Sequence, residues 1–282
     1  MKKSSIPFFA IACILVISCN KEFSHNNGST NDDQLLMRVV YREGNDSVST
    51  IFKYDSFKRI IEEHSTVIST NNGIPKLLRF HKIYKRNPTG NIIQMASKAD
   101  QPSDDGKMYD TTFTNITYNT NHKILLKKTT SIAPGVLKTD SAVFIYNSTG
   151  KVSRTDSYNS SQPGAILVHT INTMDYDANE NIILYKQFSD INGTNRLDIT
   201  YNFEYDSKAN PFPHVHDLNP ENWLFTSASN TTRQKVTIAS TGDTYTNLTT
   251  YDKYNTNGTP VSATHLRGDG SNTITKMYFY YQ

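Results

Sequence analysis

Cysteine is nearly absent: the 282 residues hold two, Cys13 and Cys19. From residue 20 onward there is no thiol, which excludes a disulfide framework, a zinc–thiolate centre and a cysteine nucleophile from the body of the chain. Tryptophan occurs once, at Trp223, and Asp, Glu, Lys and Arg together make only 20% of the chain. The net charge of +3, or +1 without Lys2 and Lys3, is too small to make nucleic acid a partner. No apolar run approaches the ~20 residues of a membrane-crossing helix. No nucleophile elbow, H-E-x-x-H pair, glycine-rich phosphate loop or EF-hand pattern is present, so no motif implies a cofactor or a metal. In place of these the chain has 17 Tyr and 13 Phe among many Thr, Ser and Asn. That composition favours β-structure, and an aromatic share of 11% is too high for a solvated coil.

The N-terminus is organised as an address. Lys2 and Lys3 are followed by an almost unbroken apolar stretch from Ile6 to Ile17, too short to span a bilayer permanently, which ends in Val16-Ile17-Ser18-Cys19. This order resembles the lipobox of bacterial lipoproteins, in which the cysteine takes a diacylglycerol and becomes the mature N-terminus. The resemblance implies a signal peptide over residues 1–18, lipidation at Cys19 and a membrane partner reached through acyl chains. Asn20 stands where Asp would favour inner-membrane retention, and Lys21-Glu22 resembles the charged export signals of Bacteroidetes lipoproteins. The address is therefore the outer membrane, with surface exposure in prospect. Phe23 to Gln34 is polar and aperiodic, so residues 19–36 read as a flexible tether before a domain at 37–282.

That domain is repetitive. One cassette recurs: Tyr, then Asp or Asn, three turn-like positions, a Lys, Arg or Asn, then an apolar residue. It begins at Tyr54, Tyr118, Tyr146, Tyr176, Tyr205 and Tyr254, with a copy at Arg86 in which Arg replaces Tyr. The starts are separated by 32, 32, 28, 30, 29 and 49 residues. Asp or Asn opens a turn through its side chain, and Gly or Asn near the end of the cassette suits a left-handed position, so each copy predicts a β-hairpin. Two residues before the Tyr position stand Phe52, Tyr84, Ile116, Phe144, Met174, Phe203 and Asp252, all but the last apolar or aromatic. They share a strand face with the Tyr. Ile199 to Tyr205 alternates apolar and polar in the same way. The expected fold is all-β: a long antiparallel meander of about 15 strands, flanked by Leu36–Tyr41 and Ile274–Tyr281, curled or barrel-like so as to bury its apolar face.

The cassettes resemble the YD repeats of Rhs-type proteins. More closely, Tyr205-Asp206-Ser207-Lys208-Ala209-Asn210-Pro211-Phe212, with Ser229-Asn230 opening the next strand, resembles a family of Bacteroidetes lipoproteins described as having a porin-like fold. The resemblance runs from about residue 37 onward. It implies that fold, but no activity and no functional residue, because none is assigned to the family. Four cassettes, at Tyr54, Tyr118, Tyr176 and Tyr205, depart from the pattern in lacking the turn glycine.

The spacing of 49 residues marks an insertion at 211–225, PFPHVHDLNPENWLF. His214 and His216, next to Asp217, and the lone Trp223 are the candidate ligand-binding residues; the same segment could instead plug or cover one end of the sheet. No third metal ligand is fixed by spacing, and no catalytic residue is nominated. Aligned Tyr residues likewise serve cross-strand packing before any glycan rail. The leading functional expectation is a non-enzymatic envelope lipoprotein that binds a glycan or a protein. A hydrolase with carboxylates scattered over the sheet is the alternative. A transmembrane barrel is disfavoured by Lys53, Asn202, Glu204 and Lys253 on the faces opposite the apolar one.

Overall fold

The computed structural model describes residues 35–71, 74–100, 109–133, 136–160, 168–191, 193–212, 226–271 and 273–282. Among them run sixteen strands: β1 (Leu36–Glu43), β2 (Asp46–Tyr54), β3 (Ile60–Asn71), β4 (Ile74–Arg86), β5 (Ile92–Asp100), β6 (Tyr109–Tyr118), β7 (Ile124–Ala133), β8 (Val136–Tyr146), β9 (Val152–Ser160), β10 (Val168–Tyr176), β11 (Ile182–Ile191), β12 (Thr194–Ala209), β13 (Ser229–Ile238), β14 (Thr244–Tyr254), β15 (Pro260–Leu266) and β16 (Ile274–Tyr281). Each pairs antiparallel with its sequence neighbours, and β16 pairs with β1, so the meander closes into a barrel. Closure removes the unpaired edges that an open sheet of this width would expose. The strand number exceeds the expected value by one because seven cassette turns join fourteen strands and the two flanking strands complete the ring.

All seven cassettes fall at the same end of the barrel, between even- and odd-numbered strands. In each regular copy the Asp or Asn side chain holds the turn. Asp55 Oδ1 accepts the backbone N–H of Phe57 at 2.8 Å and of Arg59 at 3.0 Å. Asn119, Asn147, Asp177 and Asn255 repeat this pattern at the same two offsets. The left-handed position is the fourth after the Tyr, and it is not reserved for Gly or Asn. Gly90, Gly150 and Gly258 occupy it, but so do Lys58, His122 and Glu180, with φ of 61°, 58° and 68°. The two side-chain hydrogen bonds and the backbone bond across the turn fix the loop strongly enough to hold three L-residues where a Cβ costs about 1–2 kcal/mol.

A β-bulge follows every regular turn. Tyr118 faces Ile124 but Thr117 faces Leu126, so Leu125 is left over, and equivalent shifts recur from β2–β3 to β10–β11. The bulge splays the chain from the next strand over. The β5–β6 ladder stops at Gln94, leaving the carbonyl of buried Ile92 without a backbone donor. The cassette tyrosine supplies one: Tyr118 Oη donates to Ile92 O at 2.8 Å. Tyr54, Tyr146, Tyr176, Tyr205 and Tyr281 donate in the same way to Leu36, Ile124, Val152, Ile182 and Pro260 at 2.7–2.9 Å. Where Arg86 replaces Tyr, its guanidinium makes the equivalent bond to Ile60 O at 3.2 Å. Burial raises the phenol pKa of Tyr54, Tyr205 and Tyr281, which keeps these hydroxyls protonated as donors.

Behind the tyrosines, Phe52, Ile60, Tyr84, Ile92, Ile116, Ile124, Phe144, Val152, Met174, Ile182 and Phe203 point inward and join one apolar cluster with Phe279 of β16. Asp252 is the exception in its column because a bulge in β14 passes over it, and Tyr251 turns inward instead.

Tyr54→Phe leaves the Leu36 carbonyl buried without its donor. It should destabilise the barrel by about 1–3 kcal/mol, roughly 2–4 °C of Tm per kcal/mol, whereas Tyr280→Phe, on the exposed outer face, should leave the melt unchanged. Lys58→Gly relieves the left-handed strain and should raise stability by about 1 kcal/mol, read by the denaturant midpoint.

Candidate functional site

Cys19, His214, His216 and Trp223 lie outside the described residues. The described ends of the insertion, however, are anchored at the cassette end. Asn210 donates from its backbone to Ala228 O and from Nδ2 to Ser227 O, and its Oδ1 accepts from Phe212 N. Ser227 Oγ accepts from Ile182 N and donates to Tyr205 Oη, while Ser229 N donates to Asn181 Oδ1. Phe212 is thereby driven into the apolar cluster, edge-on to Phe279 with ring centroids 5.7 Å apart. Phe279 is on β16, four strands around the barrel from β12, so the Phe212 side chain lies inside this end.

Beyond the apolar layer, the inner wall turns polar without becoming wet. Thr50 bonds Ser65 at 2.9 Å, Thr114 bonds Thr129 at 2.9 Å and Asn172 bonds Thr155 at 3.0 Å, each a cross-strand pair on the inner face. Between them lies an ionic group: Lys82 Nζ stands 3.1 Å from Glu63 Oε2, with side chains 7% and 3% exposed, and Tyr84 Oη donates to Glu63 Oε1. The Lys127 ammonium sits 4.8 Å from the centroid of the Phe144 ring. A water-filled bore would leave such side chains exposed; of those named here, all but the part-buried Thr129 are buried.

The outer wall has the opposite character. Arg38, Arg42, Lys53, Lys128, Glu204, Arg233, Lys235 and Lys276 are exposed along the strands. Several are paired across them, as in Lys53–Glu62 at 2.7 Å and Arg233–Glu204 at 2.7 Å. On this wall Glu62, His64 and His81 converge, with their ligand atoms within 4.8 Å of one another. Hydrogen bonds from Lys53 and His64 hold the Glu62 carboxyl down at about 2. Farther round, His169 lies between Asp190 at 3.0 Å and Asp156 at 3.3 Å, stacked on Tyr158. Both groupings draw on more than one strand and are completed by register.

No family model matches the chain, and no curated protein matches it in sequence. Its fold is that of a porin-like protein from Bacteroides uniformis ATCC 8492: the crystal structure superposes with a TM-score of 0.53 at 10% identity, covering 88% of this chain and 98% of that one. A porin-like protein from Bacteroides vulgatus ATCC 8482 aligns with a TM-score of 0.47 at 12% identity, over 89% and 99% of the two chains. The shared feature is a porin-like β-barrel.

Lys82→Met removes the ammonium beside a buried carboxylate and should destabilise by about 3 kcal/mol. Adding Glu63→Gln to the same chain should restore most of that loss, a coupling that a double-mutant cycle in denaturant measures.

Proposed function

We propose that this chain is an outer-membrane lipoprotein, anchored through Cys19 and tethered by the residues that lead from it to β1, whose barrel is a non-enzymatic binding or structural module and not a pore. The observation that carries this reading is the polarity of the wall: charged pairs outside, and inside an apolar cluster followed by buried polar side chains such as Thr50, Glu63, Lys82 and Asn172. A lipid-facing barrel needs an apolar band about 25 Å tall on its outer face, and exposed Lys53, Lys128, Glu204 and Lys235 argue against one. A diffusion channel needs a hydrated bore, and the apolar cluster with Phe212 argues against that. The loops at the opposite end of the barrel are the natural place for a glycan or a protein ligand, since loops carried on a rigid scaffold tolerate variation.

Fractionation and electrophysiology test this together. The wild-type protein should partition with membranes, and the Cys19→Ala protein should be released into the soluble fraction without detergent. Neither should produce stepwise conductance in planar bilayers. Conductance, or a Cys19→Ala protein that stays membrane-bound through alkaline wash, would establish a transmembrane barrel instead.

A further inference from the structure

The outer wall between β3 and β4 carries a constellation unrelated to anchoring or to the barrel's interior. His64 lies directly opposite His81 in the ladder, and their imidazoles stack with centroids 4.2 Å apart and planes 17° from parallel. Glu62, two residues before His64 and so on the same face, brings Oε2 to 2.9 Å from His64 Nε2 and 3.6 Å from His81 Nε2. The His81 Nε2 atom is buried and makes no hydrogen bond. Two imidazole nitrogens, one of them without a hydrogen bond, thus face a single carboxylate oxygen across a gap of a few ångströms, held by a continuous two-strand ladder.

We propose that Glu62, His64 and His81 form a binding site for a divalent transition-metal ion on the outside of the barrel. Two imidazole nitrogens and one carboxylate oxygen are a borderline donor set that suits Zn²⁺, Ni²⁺ or Cu²⁺, whereas Ca²⁺ and Mg²⁺ require oxygen cages. All three side chains are part-exposed, so water completes the coordination shell and the ion remains accessible to a further ligand. The built-in competitor is Lys53, whose ammonium lies 2.7 Å from the same Glu62 oxygen. Lys98, opposite His81 on β5, adds a second positive charge nearby. A bound cation replaces the Lys53 ammonium at Glu62, so Lys53 sets the affinity without being a ligand.

Isothermal titration of the Cys19→Ala protein with Zn²⁺, and separately Ni²⁺, at pH 7.5 tests the site. One equivalent should bind, His64→Ala and His81→Ala should each weaken it about tenfold or more, and Lys53→Met should tighten it. A His214→Ala/His216→Ala double variant should bind as the parent does. Melting curves without metal keep the result interpretable: a histidine variant that melts like the parent yet binds less metal supports the site. If a variant melts low, its His→Gln counterpart, which keeps the side chain's polar reach, takes its place. Parent-like affinity in both folded histidine variants, loss of binding in the His214/His216 variant alone, or no measurable binding at all would overturn the proposal.

Discussion

The hydroxyl-to-carbonyl bond made by the cassette tyrosine is the interaction on which this barrel depends. A bulge after each turn lets the rim curve, but it pulls the strands apart and strands a carbonyl in an apolar layer. An unmet buried carbonyl costs about 1–3 kcal/mol, and the rim would carry one for nearly every cassette. A side chain long enough to reach from the end of one strand to the start of its neighbour, apolar along its length and carrying a single donor at its tip, satisfies both demands. Tyrosine fits that description, and at position 86 arginine reaches the same target from the same place. Turn, bulge and phenol therefore form one device, which explains why they recur as one unit in the sequence.

That device is also why so much of the architecture was legible beforehand. The Asx residue, the apolar residue after the turn and the apolar residue two before the Tyr are each set by local backbone geometry, which repeats. What was not legible is informative. The residues at the left-handed position escaped the glycine expectation because the surrounding hydrogen bonds, not the residue type, select the conformation at Lys58, His122 and Glu180. Asp252 broke its column because a bulge changes the face of every residue beyond it. Whether the sheet closes depends on contacts between Leu36–Arg42 and Lys276–Tyr281, which no spacing reveals. The Glu62–His64–His81 grouping was half visible: the two histidines are equidistant from Asn72-Gly73, a dipeptide that signals a two-residue hairpin, and only the register was needed to bring them together.

The polarity of the wall is a property that barrel shape leaves open. A sheet of this width can enclose water, line it with charge and face lipid outside; the same topology can bury its lining and solvate its exterior. The distinction lies in alternation within each strand, where one set of residues packs against Phe52, Phe144 and Phe203 and the other mixes Lys, Arg and Glu with exposed aliphatics such as Ile51, Leu77 and Ile83. A porin-like outline therefore constrains how the chain is wound far more than what crosses it.

The pairing of the first strand with the last has a consequence for how the molecule is made. Thr275 meets Glu43 across 232 residues of chain, and Gln282 N bonds Leu35 O at 3.0 Å to finish the ring. Until β16 is delivered, β1 and the newest strand are both open edges, long, β-prone and able to capture a foreign strand. Contacts this remote in sequence also form slowly. Such a chain spends its vulnerable interval as an open ribbon, and the step that ends its exposure is the docking of β16 on β1.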